Sequence, residues 1–280
     1  MTVSVIIPAF NEQDTIVRCL FSLKDQTFPP LEIIVVDDGS NDDTFSQMQK
    51  LKDSLVYLKI LQQAHQGPAK ARNLAASYAQ GDILVFVDAD MEFDRHFLEM
   101  LTSPIINGTS QGTWTKEEKV ANWDNLWARM WNLNEGWPEK SRIAVNASDK
   151  GTDFRAIVKS EFDRVGGFDD IGYTDVYTLA RKLGYQPQAA PGAICYHYNP
   201  DSLTEVWVQA RWIGKNEFIS GNFIRRIWSL WRYGIVNSLL VAFTKSIITI
   251  QPAFVPFKLT YDLGIWCSVV LSFWGEPKIK

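Results

Sequence analysis

The chain has 280 residues, 46% of them hydrophobic and 21% charged, a balance that excludes a disordered or collagen-like polymer and leaves room for one large or two small domains. A net charge of -4 argues against a nucleic-acid binder with a broad basic face. Three cysteines, at positions 19, 195 and 267 with no C-x-x-C spacing, exclude a disulfide framework and a thiolate zinc cluster and fit a reducing compartment.

Met1 runs straight into Val3-Ser4-Val5-Ile6-Ile7-Pro8 with no charged leader, long apolar stretch or cleavage site, so a cytoplasmic protein is expected. Residues 3–7 are a continuous β-branched run, which predicts a strand buried on both faces. Ile16, Val17, Leu20 and Leu23 then recur at helical spacing. Strands follow at 32–36, 58–61 (weaker) and 83–87, separated by helices at 44–51 and 68–79. This order predicts an α/β fold with an open, mostly parallel twisted sheet and helices on both faces. In such sheets ligands bind beyond the carboxyl ends of the strands. Three strand ends are polar: Pro8-Ala9-Phe10-Asn11-Glu12, Asp37-Asp38-Gly39-Ser40 and Asp88-Ala89-Asp90.

Neither a G-x-G-x-x-G after the first strand nor a G-x-x-x-x-G-K-[ST] is present, so glycine-rich phosphate binding is excluded. A phosphate would then need a divalent cation and basic side chains. Asp88 and Asp90 are suitable oxygen ligands for Mg²⁺ or Mn²⁺, and Lys70 and Arg72 can offset the remaining phosphate charge.

Further along, Trp123, Trp127 and Trp131 recur at i, i+4 and i+8, which predicts one helical stripe that packs on the sheet or contacts sugar rings or a membrane interface. Charge is unevenly shared: residues 1–210 carry 19 Lys and Arg against 29 Asp and Glu, whereas residues 211–280 carry 9 against 3. The apolar runs 235–250 and 252–274 are broken by Asn237, Lys245, Lys258 and Asp262, and the longest unbroken stretch, 263–274, is short of the roughly 20 residues a span requires. Amphipathic helices lying in a membrane interface are therefore expected. Arg225, Arg226, Arg232, Lys245 and Lys258 would meet anionic headgroups, with Trp228, Trp231 and Trp266 at the boundary. A hydrophobic dimer interface is the alternative, and a homo-oligomer is left open.

The blocks Val3 to Glu12, Val35-Val36-Asp37-Asp38-Gly39-Ser40, Gly67-Pro68-Ala69-Lys70-Ala71-Arg72-Asn73 and Gly81 to Asp90, in this order, resemble the family 2 glycosyltransferases of GT-A fold, inverting enzymes that use nucleotide-diphosphate sugars. The resemblance implies that Pro8, Ala9, Phe10 and Glu12 border the nucleotide, that Asp38 faces the base, and that Arg72, with Lys70, lies near the diphosphate. Asp88-Ala89-Asp90 looks like the family's D-x-D metal motif, with Asp90 and Asp88 as ligands of Mn²⁺ or Mg²⁺ and His197 as a third. The resemblance continues through Phe154 to Lys159, Val165-Gly166-Gly167-Phe168-Asp169 and Gly172-Tyr173-Thr174-Asp175, which looks like the acceptor side. Thr174-Asp175 stands where family members commonly have an E-D pair, and Asp175 is the implied catalytic base; as an isolated residue it could equally cap a helix at 176–183. Asp169 and Asp170 are the other acceptor-side acids. Gln209-Ala210-Arg211-Trp212 is similar to the Q-x-x-R-W signature of processive members but one residue short, with Arg211 and Trp212 as further acceptor-side candidates.

The expectation is a metal-dependent inverting glycosyltransferase. Residues 1–110 bind the nucleotide sugar, UDP by family frequency, and the metal. Residues 111–230 bind a lipid-linked or polysaccharide acceptor, and 231–280 form a helical tail on the cytoplasmic membrane face. The competing expectations are a catalytically inactive sugar-nucleotide-binding protein and a membrane-associated scaffold.

Overall fold

The computed structural model describes residues 1–170, 177–219 and 223–274, the side chains of 216–219 excepted. Its described residues fall into two units: one from 1–121, 145–170 and 177–197, the other from 122–144 and 198–274.

The first unit is built on the β-branched opening of the chain. That run forms β1 (Val3–Ala9), followed by β2 (Glu32–Asp37), β3 (Leu58–Gln62), β4 (Ile83–Phe86), β5 (Met91–Phe93), β6 (Gly112–Trp114), β7 (Glu117–Val120), β8 (Ala156–Val158), β9 (Gln188–Ala189) and β10 (Ile194–His197). Seven strands form a sheet in the order β3-β2-β1-β4-β8-β6-β9. The first four run parallel, while β8 is antiparallel to both its neighbours. A second sheet has the order β5-β10-β7.

Alternation along β1 and its neighbours feeds two apolar layers, because successive side chains in a strand point to opposite faces. Val3, Val5, Ile7, Ile33, Val35 and Val85 pack with Ile16, Cys19, Leu20 and Leu23 of helix Ile16–Lys24. On the other face Ile6, Ile34, Val36 and Phe86 meet Ala69, Ala71, Ala75 and Ala76 of helix Pro68–Tyr78. The alternating strands and helices of the first 90 residues thus form where hydrophobic periodicity predicts, with β4 pairing as far as Phe86 and the helix at 68 ending at Tyr78.

The second unit is helical. Helices Leu126–Glu135, Leu203–Ile219, Phe223–Arg232, Ile235–Thr249 and Phe254–Leu271 surround a core of Met130, Trp131, Val206, Ala210, Ile213, Phe254, Phe257, Tyr261, Ile265 and Val269. Helices Leu203–Ile219 and Phe254–Leu271 approach so closely that a Cβ on Gly214 would stand 3.0 Å from the Ile265 backbone, and one on Gly264 would stand 2.9 Å from the Ala210 Cβ.

Two expectations about this unit are corrected. The tryptophan stripe is shorter than its spacing suggested: the side chain of Asn125 accepts from the Trp127 and Ala128 amides and starts the helix at Leu126, leaving Trp123 in the preceding turn. Trp131 packs edge-on against Phe257 and Tyr261 rather than on the sheet. The last apolar run is not broken by its charges either, since Lys258 and Asp262 pair at 2.8 Å one turn apart. Residues 254–274 are long and apolar enough to cross a membrane by length and composition only, and 44% of their 18-residue apolar window is buried, as in a core helix. Outside the core, Ile224, Trp228, Trp231, Ile235, Val236, Leu240, Ile247 and Ile248 are exposed, Trp231 at 69% and Ile247 at 75%.

Candidate active site

Parallel pairing brings the three polar strand ends to one edge of the sheet. Ala9 is in register with Asp37, and Ile6 with Phe86, so the residues after β1, β2 and β4 emerge side by side. Loop-to-loop hydrogen bonds fix them there. Asn11, at a positive φ of 56° that Asn tolerates better than most residues, accepts through Oδ1 from the Asn41 amide and donates its own amide to Ser40. The Glu12 amide donates to the Thr44 hydroxyl at 2.7 Å, and the Glu12 carboxylate accepts from Thr15.

Asp38 is buried, and its carboxylate organises the segment after β3. Gln63 Nε2 and the Gln66 amide donate to Oδ1 at 2.6 and 2.9 Å. The Gly67 amide donates to Oδ2 at 2.8 Å, and His65 Nδ1 stands 2.9 Å from the same oxygen. These contacts match the roughly four acceptor directions of a carboxylate. The His65 ring is thereby stacked on Phe10, with centroids 4.0 Å apart. Gly39, at φ +78°, permits the approach, because a Cβ there would stand 3.0 Å from the His65 amide nitrogen.

Asp88 follows β4 and lies between two guanidinium groups, Arg72 at 2.7 Å on Oδ1 and Arg155 at 3.1 Å on Oδ2. Burial alone would push its carboxyl up, but Arg155 and Arg72 hold it well below the usual carboxylate range. Arg155, from the segment leading into β8, also reaches Asp153 at 3.2 Å and Glu118 at 3.5 Å. Burial works against its charge, and the three carboxylates outweigh that effect. Burial likewise dominates at Asp153, whose carboxyl is raised despite Arg155.

Asp90 precedes β5 and His197 ends β10, and the pairing of these strands brings the two together: His197 Nε2 is 3.0 Å from Asp90 Oδ2. The other ring nitrogen is 2.8 Å from Glu118 Oε1 on β7. Among the described residues no set of three or more His, Cys, Asp or Glu side chains is gathered for a metal ion. The donor set nonetheless suits a divalent cation: a carboxylate and an imidazole in contact, with a second carboxylate behind the ring, is the arrangement that supports metal-bound histidine. Cys19 is adjacent, but burial first, and then the charges of Asp90 and Asp88, push its thiol well up and leave it unreactive.

Of the other expected site residues, Pro8 and Ala9 end β1, Ala89 is buried in the turn between the two aspartates, and Lys70 pairs with Asp170 at 3.2 Å. Asp169 accepts from Arg181 and Lys182. Arg211 and Trp212 belong to helix Leu203–Ile219 of the other unit. Thr174 and Asp175 lie outside the described residues. The structure adds three groups that motif reading passed over, His65, Glu118 and Arg155. The Gly67-Pro68 block flags the neighbourhood of His65; for Glu118, within Glu117-Glu118-Lys119-Val120, the sequence carries no signal.

Known proteins match on the same ground. The sequence model described as glycosyl transferase family 2 matches residues 4–159. The chain is 27% identical over 258 residues, 86% of its length, to the probable glycosyltransferase YdaM of Bacillus subtilis. It is 42% identical over 88 residues, 31% of its length, to the UDP-Glc:alpha-D-GlcNAc-diphosphoundecaprenol beta-1,3-glucosyltransferase WfaP of Escherichia coli. The matches span 61% and 35% of those two proteins. Among solved structures, the mannosyltransferase PcManGT from Pyrobaculum calidifontis, in complex with GDP-Man and Mn²⁺, superposes with a TM-score of 0.60 at 18% identity over 98% of this chain and 88% of that one. At that identity the likeness shows a shared fold.

Proposed function

The chain belongs to glycosyl transferase family 2, and on that premise we propose that it transfers a sugar, with inversion, from a UDP-linked donor to a hydroxyl of a lipid-linked or polysaccharide acceptor. The observation that carries this reading is the convergence at one sheet edge of the Phe10–His65 stack beside Asp38 with two aspartates engaged by guanidinium and imidazole groups. A flat aromatic surface suits a base, and fixed positive charge beside cation-binding carboxylates suits a diphosphate. The UDP-Glc donor and diphosphoundecaprenol acceptor in the name of WfaP support this choice of donor and acceptor class, and the Mn²⁺ held with GDP-Man by PcManGT supports a divalent metal.

Pro8, Ala9, Phe10, Glu12 and Ala89 border the nucleotide, and Asp38 shapes the base site through His65 and the 63–67 segment. Asp90 and His197, with Asp88 beside them, would hold Mn²⁺ or Mg²⁺, which when bound supplies Lewis-acid stabilisation of charge on the departing diphosphate. Arg72 and Lys70 add fixed positive charge for the same phosphates. Asp175 takes the proton of the acceptor hydroxyl as that oxygen bonds to the anomeric carbon and the bond to the diphosphate breaks, with Asp169, Asp170, Thr174, Arg211 and Trp212 on the acceptor side. The exposed apolar face of the helical unit, flanked by Arg225, Arg226 and Arg232, docks on the cytoplasmic face of a membrane, where a lipid-linked acceptor resides.

The test is a melting-temperature panel of UDP, GDP, dTDP and CDP with Mn²⁺ or Mg²⁺, since a ligand that binds the folded state raises the melting temperature. UDP with metal is expected to raise it, and Asp90→Ala to abolish the rise. Asp175→Asn should still bind UDP while UDP release from the donor sugar falls about 10²–10⁴-fold. No rise with any nucleotide would overturn the reading. Nucleotide binding without turnover in the wild type would favour the inactive sugar-nucleotide-binding alternative.

A further inference from the structure

We infer that Glu118 is a positioning residue that fixes the His197 ring so that its Nε2 is the nitrogen offered to a divalent cation beside Asp90. The inference rests on the proposed metal site and adds to it a residue from a different strand, outside the D-x-D sequence.

The geometry is specific. In the parallel pair of β7 and β10, Glu118 is in register with Cys195, so Glu118 and His197 are diagonal neighbours on one face of the small sheet. Glu118 Oε1 lies 2.8 Å from His197 Nδ1 and its other oxygen lies 3.5 Å from Arg155, while its side chain is only 11% exposed and that of His197 only 13%. Both ring nitrogens face carboxylates, which when ionised can only accept; a cation bound beside Asp90 would take the place of the hydrogen on Nε2, while Glu118 keeps the hydrogen on Nδ1 and holds the ring in that orientation. Arg155 in turn bonds Asp88. One chain of contacts, Asp90–His197–Glu118–Arg155–Asp88, therefore leads from one aspartate of the D-x-D to the other through three residues outside that motif.

The experiment measures Mn²⁺ affinity from the electron paramagnetic resonance signal of free aqueous Mn²⁺, with UDP present, for wild type, Glu118→Ala, Glu118→Gln and the neighbouring Glu117→Gln. Metal-free melting temperatures are measured alongside. Glu118→Ala is expected to weaken Mn²⁺ binding about 10–100-fold, the usual cost of losing the outer partner of a metal-bound histidine. Glu118→Gln keeps an acceptor for Nδ1 and should lose less, and Glu117→Gln should match wild type. Should Glu118→Ala fail to fold, Glu118→Gln carries the test, with an expected loss of a few-fold. Mn²⁺ affinity unchanged in a folded Glu118 variant, with wild type binding normally, overturns the inference alone. Failure of wild type to bind Mn²⁺ overturns the metal site and the inference together.

Discussion

Asp169 illustrates what single residues contribute around this site. The hydrogen bond from Lys182, and after it that from Arg181, hold its carboxyl below the usual range. A carboxyl depressed in the folded state stabilises the fold above its unfolded value of about 3.9, and that contribution disappears as pH falls through the lower folded value. Wild type should thus melt above Asp169→Asn at pH 7, and the two melting curves should converge as pH drops below about 4. With the Asp169 side chain 38% exposed the separation will be small, as for most surface pairs. Asp169 was legible in the sequence because it lies in a block with a familiar order. Arg155 also lies in such a block, Phe154 to Lys159, but its role did not show there, and Glu118 lies in none: their partners are 67 and 79 residues away, and only the pairing of β4 with β8 and of β7 with β10 brings them together. His65 belongs to no motif block, and what gives it a place is the buried carboxylate of Asp38, 27 residues before it.

At the scale of elements, periodicity served the first 90 residues well because each strand is buried and each helix faces one apolar layer, so pattern and packing agree. It misled where a local hydrogen bond outranked spacing, as at Asn125, which excludes Trp123 from a helix whose stripe would have included it. It also misled at the last helix, where an i, i+4 ion pair lets Lys258 and Asp262 sit in an otherwise apolar element. The contact between helices Leu203–Ile219 and Phe254–Leu271 gives a direct test. Gly214→Ala should gain about 1 kcal/mol in helix propensity, but its Cβ would press on the Ile265 backbone and the Ser268 Cβ, neither of which can turn aside. Overpacking costs about 1–3 kcal/mol, so a net loss of up to about 2 kcal/mol is expected in urea unfolding.

Across the whole molecule, acidic and basic residues are partitioned along the chain, with the basic excess after residue 210. The exposed apolar residues of helices Phe223–Arg232 and Ile235–Thr249 lie in this same stretch, and Arg232 covers the Trp228 ring at 5.1 Å. Such a combination predicts co-sedimentation with vesicles containing anionic lipid that weakens as salt is raised. Each basic residue near an anionic surface is worth about 1 kcal/mol. The double variant Arg225→Glu, Arg226→Glu should accordingly bind at least tenfold more weakly, and Trp231→Glu should lose apolar insertion. Equal binding to neutral and anionic vesicles would contradict the role given to the arginines.

The saturated carboxylate of Asp38 has a kinetic consequence. Gln63, His65, Gln66 and Gly67 are already committed to it, so the surface made by Phe10 and His65 is set during folding and no segment there has to be ordered when a ligand arrives. On the proposed reading, association at this rim is expected to be governed by encounter and not by loop rearrangement. An Asp38→Asn chain, which must reassemble the 63–67 segment at each encounter, would capture its ligand more slowly even where the equilibrium affinity recovers.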